Sequence, residues 1–182
     1  WSRGFEDGNK RQIIINEKIF SVFALICSFQ LFGQIKYITN KEFTIQGKAF
    51  DNTPFYHRID TNKYANLPEK VKGLFTAPAG LYVTFKSNTS QIKLDWTTRS
   101  TYLGANTTGI MARGLDLYIK ENGKWIFAGA ALPNQQNIKS EYDIIKNLPK
   151  TEKEFMLYLP LWNEITDLKI GIDASANFIN QP

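Results

Sequence analysis

The sequence predicts an all-β protein, an antiparallel β-sandwich of jelly-roll type with at most one short helix. Three observations predict it. Short apolar–polar alternations of period two recur from Lys41 onward, each placing its apolar set on one sheet face. Turn-forming residues separate these runs, Asn122-Gly123 most clearly. Of the 182 residues, 43% are hydrophobic and 21% charged, enough apolar material for one core and too much for a disordered chain. The second face of each run is polar, the habit of antiparallel sheets rather than of parallel sheets covered on both sides.

In chain order, residues 1–33 read as an N-terminal extension and secretory signal. Lys10, Arg11 and Lys18 precede the apolar run 19–29, and Gly33 supplies a small residue before a cut that leaves Gln34 first. The run falls short of the roughly 20 residues a membrane span needs. Cys27 reads as a small apolar residue within it rather than a lipidation site. Residues 34–182 are then one domain. Runs at 81–86, 92–97 and 115–120 alternate strictly, as do 155–159 and 168–173. Ser87-Asn88-Thr89-Ser90 predicts a hairpin between the first two, and Asn122-Gly123 a two-residue hairpin joining 115–120 to 124–128. Residues 141–148 fit either a short helix, with Tyr142, Ile145 and Leu148 at helical spacing, or a strand. Trp96 and Trp125 share faces with apolar neighbours and read as core. Tyr82 and Tyr118 fall opposite their strands' aliphatic sets, as a binding platform or as cover beneath a loop.

Composition excludes much chemistry. One Cys leaves no internal disulfide or Cys-rich zinc site, and one His leaves no metal site or mechanism that needs two. No metal or other cofactor is expected. His57 is flanked by Phe55, Tyr56 and Arg58, with no Gly-x-Ser-x-Gly elbow anywhere, and reads as a structural residue rather than half of a Ser–His pair. Phosphate-cradling glycine motifs and a Ca²⁺ loop of DxDxDG type are missing. The net charge of +5 comes from scattered lysines and arginines with acids between them, a solvated surface rather than a nucleic-acid stripe. Asn88-Thr89-Ser90 and Asn106-Thr107-Thr108 match the three-residue glycosylation pattern.

Gly114-Leu115-Asp116-Leu117-Tyr118 resembles the Gly-x-Asp-Leu-Tyr signature of a domain that opens a group of secreted SGNH-type (GDSL-like) hydrolases. The resemblance extends further. Residues 79–88, 92–96 and 106–109 are similar to that family's strands and Thr-Gly loop around the signature, in the same order. Residues 158–163 are similar to its Tyr-Leu-Pro-Leu-Tyr-Asn block, and 168–172 to the Leu-x-Ile-Gly-Val strand that follows. Together the blocks span about 50–172. Two departures stand out: Ala77-Pro78 replaces a more polar stretch, and the loop between Tyr102 and Met111 lacks a His often found there.

The resemblance implies a non-catalytic β-sandwich placed before a C-terminal SGNH catalytic domain that cleaves esters, with acyl groups on carbohydrate as substrate. The Gly-Thr-Ser-Ile-like block that carries the family's nucleophile occurs nowhere in these residues, so no catalytic residue is carried over. The chain is expected to be the accessory part of a secreted or periplasmic serine esterase. Arg99, Tyr102, Asn106, Asp116 and Trp162 are the candidates for substrate or interdomain contact. The alternatives are a free-standing carbohydrate-binding module and an enzyme built around His57.

Overall fold

The computed structural model describes residues 34–181. The expected signal segment, with Cys27, lies outside them. Nine strands follow one another: β1 (Ile35–Ile38), β2 (Tyr82–Ser87), β3 (Ile92–Thr98), β4 (Leu115–Glu121), β5 (Lys124–Ala131), β6 (Lys139–Ile145), β7 (Lys153–Tyr158), β8 (Ile165–Asp173) and β9 (Ile179–Gln181). They form two wholly antiparallel sheets, one of order β1–β8–β3–β6 and one of order β5–β4–β7–β2–β9. The fold is therefore the expected β-sandwich, and residues 141–148 resolve as strand β6 and the loop after it. Its one helix longer than two turns, α1 (Glu69–Thr76), crosses the long segment before β2. A single-turn helix, α2 (Gly109–Arg113), precedes β4.

Alternation builds the core. Val83 and Phe85 of β2, Leu94 and Trp96 of β3, Leu115 and Leu117 of β4, and Phe155 and Leu157 of β7 are completely enclosed. Ile170 and Ile172 of β8, the strand beside β3, join them. Phe85 stacks on Phe155 at 5.1 Å and on Phe178 at 4.9 Å. The Trp96 indole N–H donates to the Arg113 carbonyl at 2.9 Å, which satisfies its polar end inside the core.

Two local expectations fail. Residues 87–90 do not close a hairpin, because β2 and β3 lie in different sheets. They form a corner held on Asp173: the Ser90 N–H and hydroxyl donate to one carboxylate oxygen at 2.7 and 2.6 Å, and the Gln91 amide to the other at 2.9 Å. The Thr89 hydroxyl donates to the Gln91 carbonyl and accepts from the Asp173 N–H. The turn residues were legible, but not the sheet to which the chain returns. Trp125 is not core either. The hairpin at Asn122-Gly123, whose φ angles are 51° and 77°, opposes Lys120 to Trp125. Residues directly opposed share a face, so Trp125 lies outside with Lys120, whose ammonium sits 5.2 Å from its ring.

The two outer faces differ in chemistry. On the four-stranded sheet, Lys93 pairs with Glu141 at 3.0 Å and Lys139 with the buried Asp95 at 3.2 Å, a lattice of opposite charges. On the five-stranded sheet a row of rings crosses four strands. Tyr82 (β2) meets Tyr158 (β7) at 5.2 Å, Tyr158 meets Tyr118 (β4) at 5.7 Å, and Tyr118 meets Phe127 (β5) at 5.7 Å.

Candidate functional site

At one end of the sandwich, the segment after β3 and the segment before β8 lie side by side. The Arg99 N–H donates to the Glu164 carbonyl at 2.8 Å, and the Asn163 N–H to the Ala112 carbonyl at 2.9 Å. The buried Asn163 side chain knits the two segments: it accepts from the Ser100 N–H, and its amide donates to the Ser100 hydroxyl at 3.1 Å. These ties fix the wall of an open cleft of about 870 Å³, whose opposite side is residues 61–76.

Glu164 is the electrostatic centre of that wall. One carboxylate oxygen accepts from Arg99 at 2.7 Å and the other lies 3.0 Å from His57 Nε2. Burial alone would raise the Glu164 carboxyl, but the hydrogen bonds from Arg99 and His57 outweigh it and hold the pKa below its ordinary value. Both oxygens are occupied, so Glu164 is no free base. The Arg99 side chain, 71% exposed, keeps its other N–H groups toward the cleft's solvent side without a protein partner among the described residues.

Of the residues singled out from the sequence, Arg99, Tyr102 and Trp162 line this cleft together. Tyr102 is 68% and Trp162 46% exposed, so both rings are available for stacking. Asn106 is exposed on the neighbouring loop and does not line the cleft. Asp116 lies elsewhere, on the outer face of the five-stranded sheet, opposite Tyr158. Its carboxylate accepts no hydrogen bond among the described residues, and burial raises its pKa. Sequence reasoning missed Glu164, which stands 107 positions from His57. It also missed Arg113, an enclosed guanidinium that donates to the Thr98 hydroxyl and to the Asn134 and Asn137 carbonyls at 2.9, 2.7 and 2.6 Å. Neither has a local pattern that betrays it.

The exposed rings of Tyr102 and Trp162 stand beside the Arg99 guanidinium and the fixed Glu164 carboxylate, groups that can stack and exchange hydrogen bonds. Among the described residues His57 has Glu164 as its only side-chain partner, and the Ser100 hydroxyl is engaged by Asn163 rather than by an imidazole. Among the described residues no cluster of three or more metal-ligating side chains forms, and no helix is long and apolar enough to cross a membrane.

Comparison with solved structures finds the same architecture. A protein described as a GDSL-like lipase from Bacteroides ovatus is 39% identical, with a TM-score of 0.78 over 82% of this chain and 44% of its own. The salicylyl-acyltransferase SsfX3, from a tetracycline biosynthetic pathway, is 12% identical and shares the fold, with a TM-score of 0.60 over 81% of this chain and 42% of its own. The present chain thus spans less than half of either protein. No curated protein sequence matches it. A family model described as GxDLY, the N-terminus of SGNH-hydrolase-type esterases, matches residues 35–178. Its motif falls on Gly114, Asp116, Leu117 and Tyr118, at the entry to β4. With most of the described domain inside that match, the chain belongs to the GxDLY family of SGNH-type esterase N-terminal domains.

Proposed function

We propose that this domain is the non-catalytic partner of an SGNH catalytic domain in a secreted ester hydrolase, and that its cleft forms one wall of the substrate site. The substrate class is acylated carbohydrate. The observation that carries this reading is the composition of the cleft: Tyr102 and Trp162 offer exposed ring faces beside Arg99 and Glu164, with no activated nucleophile. Such a wall binds and orients a sugar and leaves bond cleavage to its partner.

The test is a chimera in which this chain replaces the matched segment of the Bacteroides ovatus protein. Trp162→Ala removes one stacking surface, worth about 1.4 kcal/mol, so KM for an acetylated oligosaccharide rises about tenfold. Hydrolysis of p-nitrophenyl acetate, which has no sugar to stack, stays at the unmutated rate. Equal loss on both esters, or on neither, overturns the substrate-wall reading. Exposed Tyr102 and Trp162 also support a second reading, a carbohydrate-binding module that works unassisted. Saturable binding of a polysaccharide by the 182-residue chain alone, abolished by Trp162→Ala, would favour it.

A further inference from the structure

Of the four residues that define the family motif, two are explained by the fold alone. A Cβ on Gly114 would stand 2.5 Å from the Ile110 carbonyl oxygen and 2.8 Å from that of Ala131, so only glycine fits. Leu117 is enclosed in the core. Asp116 and Tyr118 alternate with it and face outward, where Tyr118 packs edge-on against Tyr158 and Phe127. Asp116 is half-buried, yet neither a hydrogen bond nor a cation reaches its carboxylate among the described residues. The hydroxyls of Tyr82, Tyr118 and Tyr158 likewise make no hydrogen bond there, and Phe127 at the end of the row is 56% exposed. Burial without a partner raises the Asp116 pKa, a cost that a donor would remove.

A row of rings around an unpaired carboxylate is not a solvated face. The outer face of the other sheet carries a lattice of Lys–Asp and Lys–Glu pairs in place of such a row of rings. Rings flanked by unused polar groups are what a protein interface presents before it is covered. The motif also indicates which partner covers it. The matched family is the N-terminus of SGNH-type esterases, so an SGNH catalytic portion is what such a domain adjoins, and Asp116 is the motif residue whose side chain finds no partner among the described residues.

We propose that the outer face of the five-stranded sheet, centred on Asp116, Tyr118 and Tyr158, is where the SGNH catalytic domain docks, with Asp116 accepting a hydrogen bond from an N–H or O–H donor of that domain. The proposal rests on the accessory-domain reading above and names the surface through which it operates. It also joins the two sites. Tyr158 closes β7, and the connection from it to β8 carries Trp162, so a domain seated on the ring row reaches the rim of the cleft across four residues.

Hydroxyl-radical footprinting tests it, because aromatic side chains react readily and report their own exposure. The 182-residue chain is compared with the chimera described above. Labelling of Tyr118, Phe127 and Tyr158 is expected to fall several-fold in the chimera, while Tyr37, on the other sheet, stays unchanged. Asp116→Asn in the chimera should restore labelling toward the level of the chain alone. In that chain, where Asp116 has no partner, the same substitution should leave the Tm level or higher. Protection of a different surface overturns the docking face and leaves the accessory role standing. No protection anywhere, with hydrolysis indifferent to the domain, overturns both. Sedimentation showing a dimer of the chain alone, broken by Tyr118→Ala, would assign the face to a second copy and overturn the proposal. Protection of the row by an oligosaccharide, in place of the catalytic domain, would overturn it as well.

Discussion

Arg113 ends α2 with its guanidinium enclosed at the end of β3 and, among the described residues, in no ion pair with a carboxylate. Burial depresses its pKa, and the three oxygens it serves, on Thr98, Asn134 and Asn137, fasten the β5–β6 connection to the end of β3, beside the Thr98 N–H bond to the Ile138 carbonyl. Its fork spans them in a way a single ammonium does not. Arg113→Met is therefore expected to cost about 3 kcal/mol by stranding those acceptors, and Arg113→Lys to recover less than half of that loss. Denaturant titration of the isolated chain measures both, and a lysine variant as stable as the parent would show that charge, not fork geometry, is what matters. Nothing in the sequence announces this role, since Arg-Gly before an alternating run looks like the entry of a surface strand. His57 and Glu164 are equally opaque, because their 3.0 Å contact depends on how two distant loops converge. Trp162 was legible as a member of a block resembling a known one, and Arg99 and Tyr102 as part of the loop 99–113 that leads into the signature strand. That they line one cleft is a property of the fold.

The strands were the most legible elements, and the reason is arithmetic. In β4 burial follows the period of the backbone itself, and in β2, β3 and β7 the enclosed apolar side chains keep that period although Thr84, Asp95 and Met156 between them are also buried. Edges and corners broke the reading. At β5 the apolar letters of Trp125 and Phe127 suggested core, but the two-residue turn had already fixed Lys120 opposite Trp125. Taking register from the turn before hydrophobicity would have placed both rings outside. Helix α1 was missed because none of its residues is buried and Gly73 interrupts it. It is held from outside by Arg58, which donates to the Leu74 and Ala77 carbonyls at its end. The junction of α2 with β4 is the element where local geometry is least forgiving. Gly114→Ala pushes a methyl into two backbone carbonyls that cannot swing aside as a side chain would. The expected cost is about 3 kcal/mol, at the upper end of overpacking. Gly73→Ala, in open space within α1, should instead raise stability by roughly 0.5 to 1 kcal/mol. Paired thermal melts check the contrast, and equal effects would mean that the α2–β4 junction relaxes freely.

For the molecule as a whole, the groups that join its parts are carboxylates held in their charged form. Glu164 ties the two segments of the cleft wall, and Asp173 ties the corner between the sheets. Burial works against each, but Arg99 and His57 on one side, and Ser90 and Gln91 on the other, bring both below their ordinary values of 4.5 and 3.8. An acid whose folded pKa is depressed contributes stability above its ordinary value and loses it as pH falls through the lower, folded value. Asp116 has the opposite sign: its raised pKa makes the carboxylate a cost near neutrality that protonation relieves. The denaturation midpoint should therefore stay level from neutrality down to about pH 5 and then fall steadily through pH 3, each carboxylate contributing at most about 1.4 kcal/mol per pH unit. Asp173→Asn sets a donor against the Ser90 and Gln91 donors, so it should lower stability at pH 7 and flatten the acid slope at once. A variant with the parental slope between pH 5 and pH 3 would mean that the corner does not discharge in that range. The acid limb would then belong to Glu164, and Glu164→Gln should remove it.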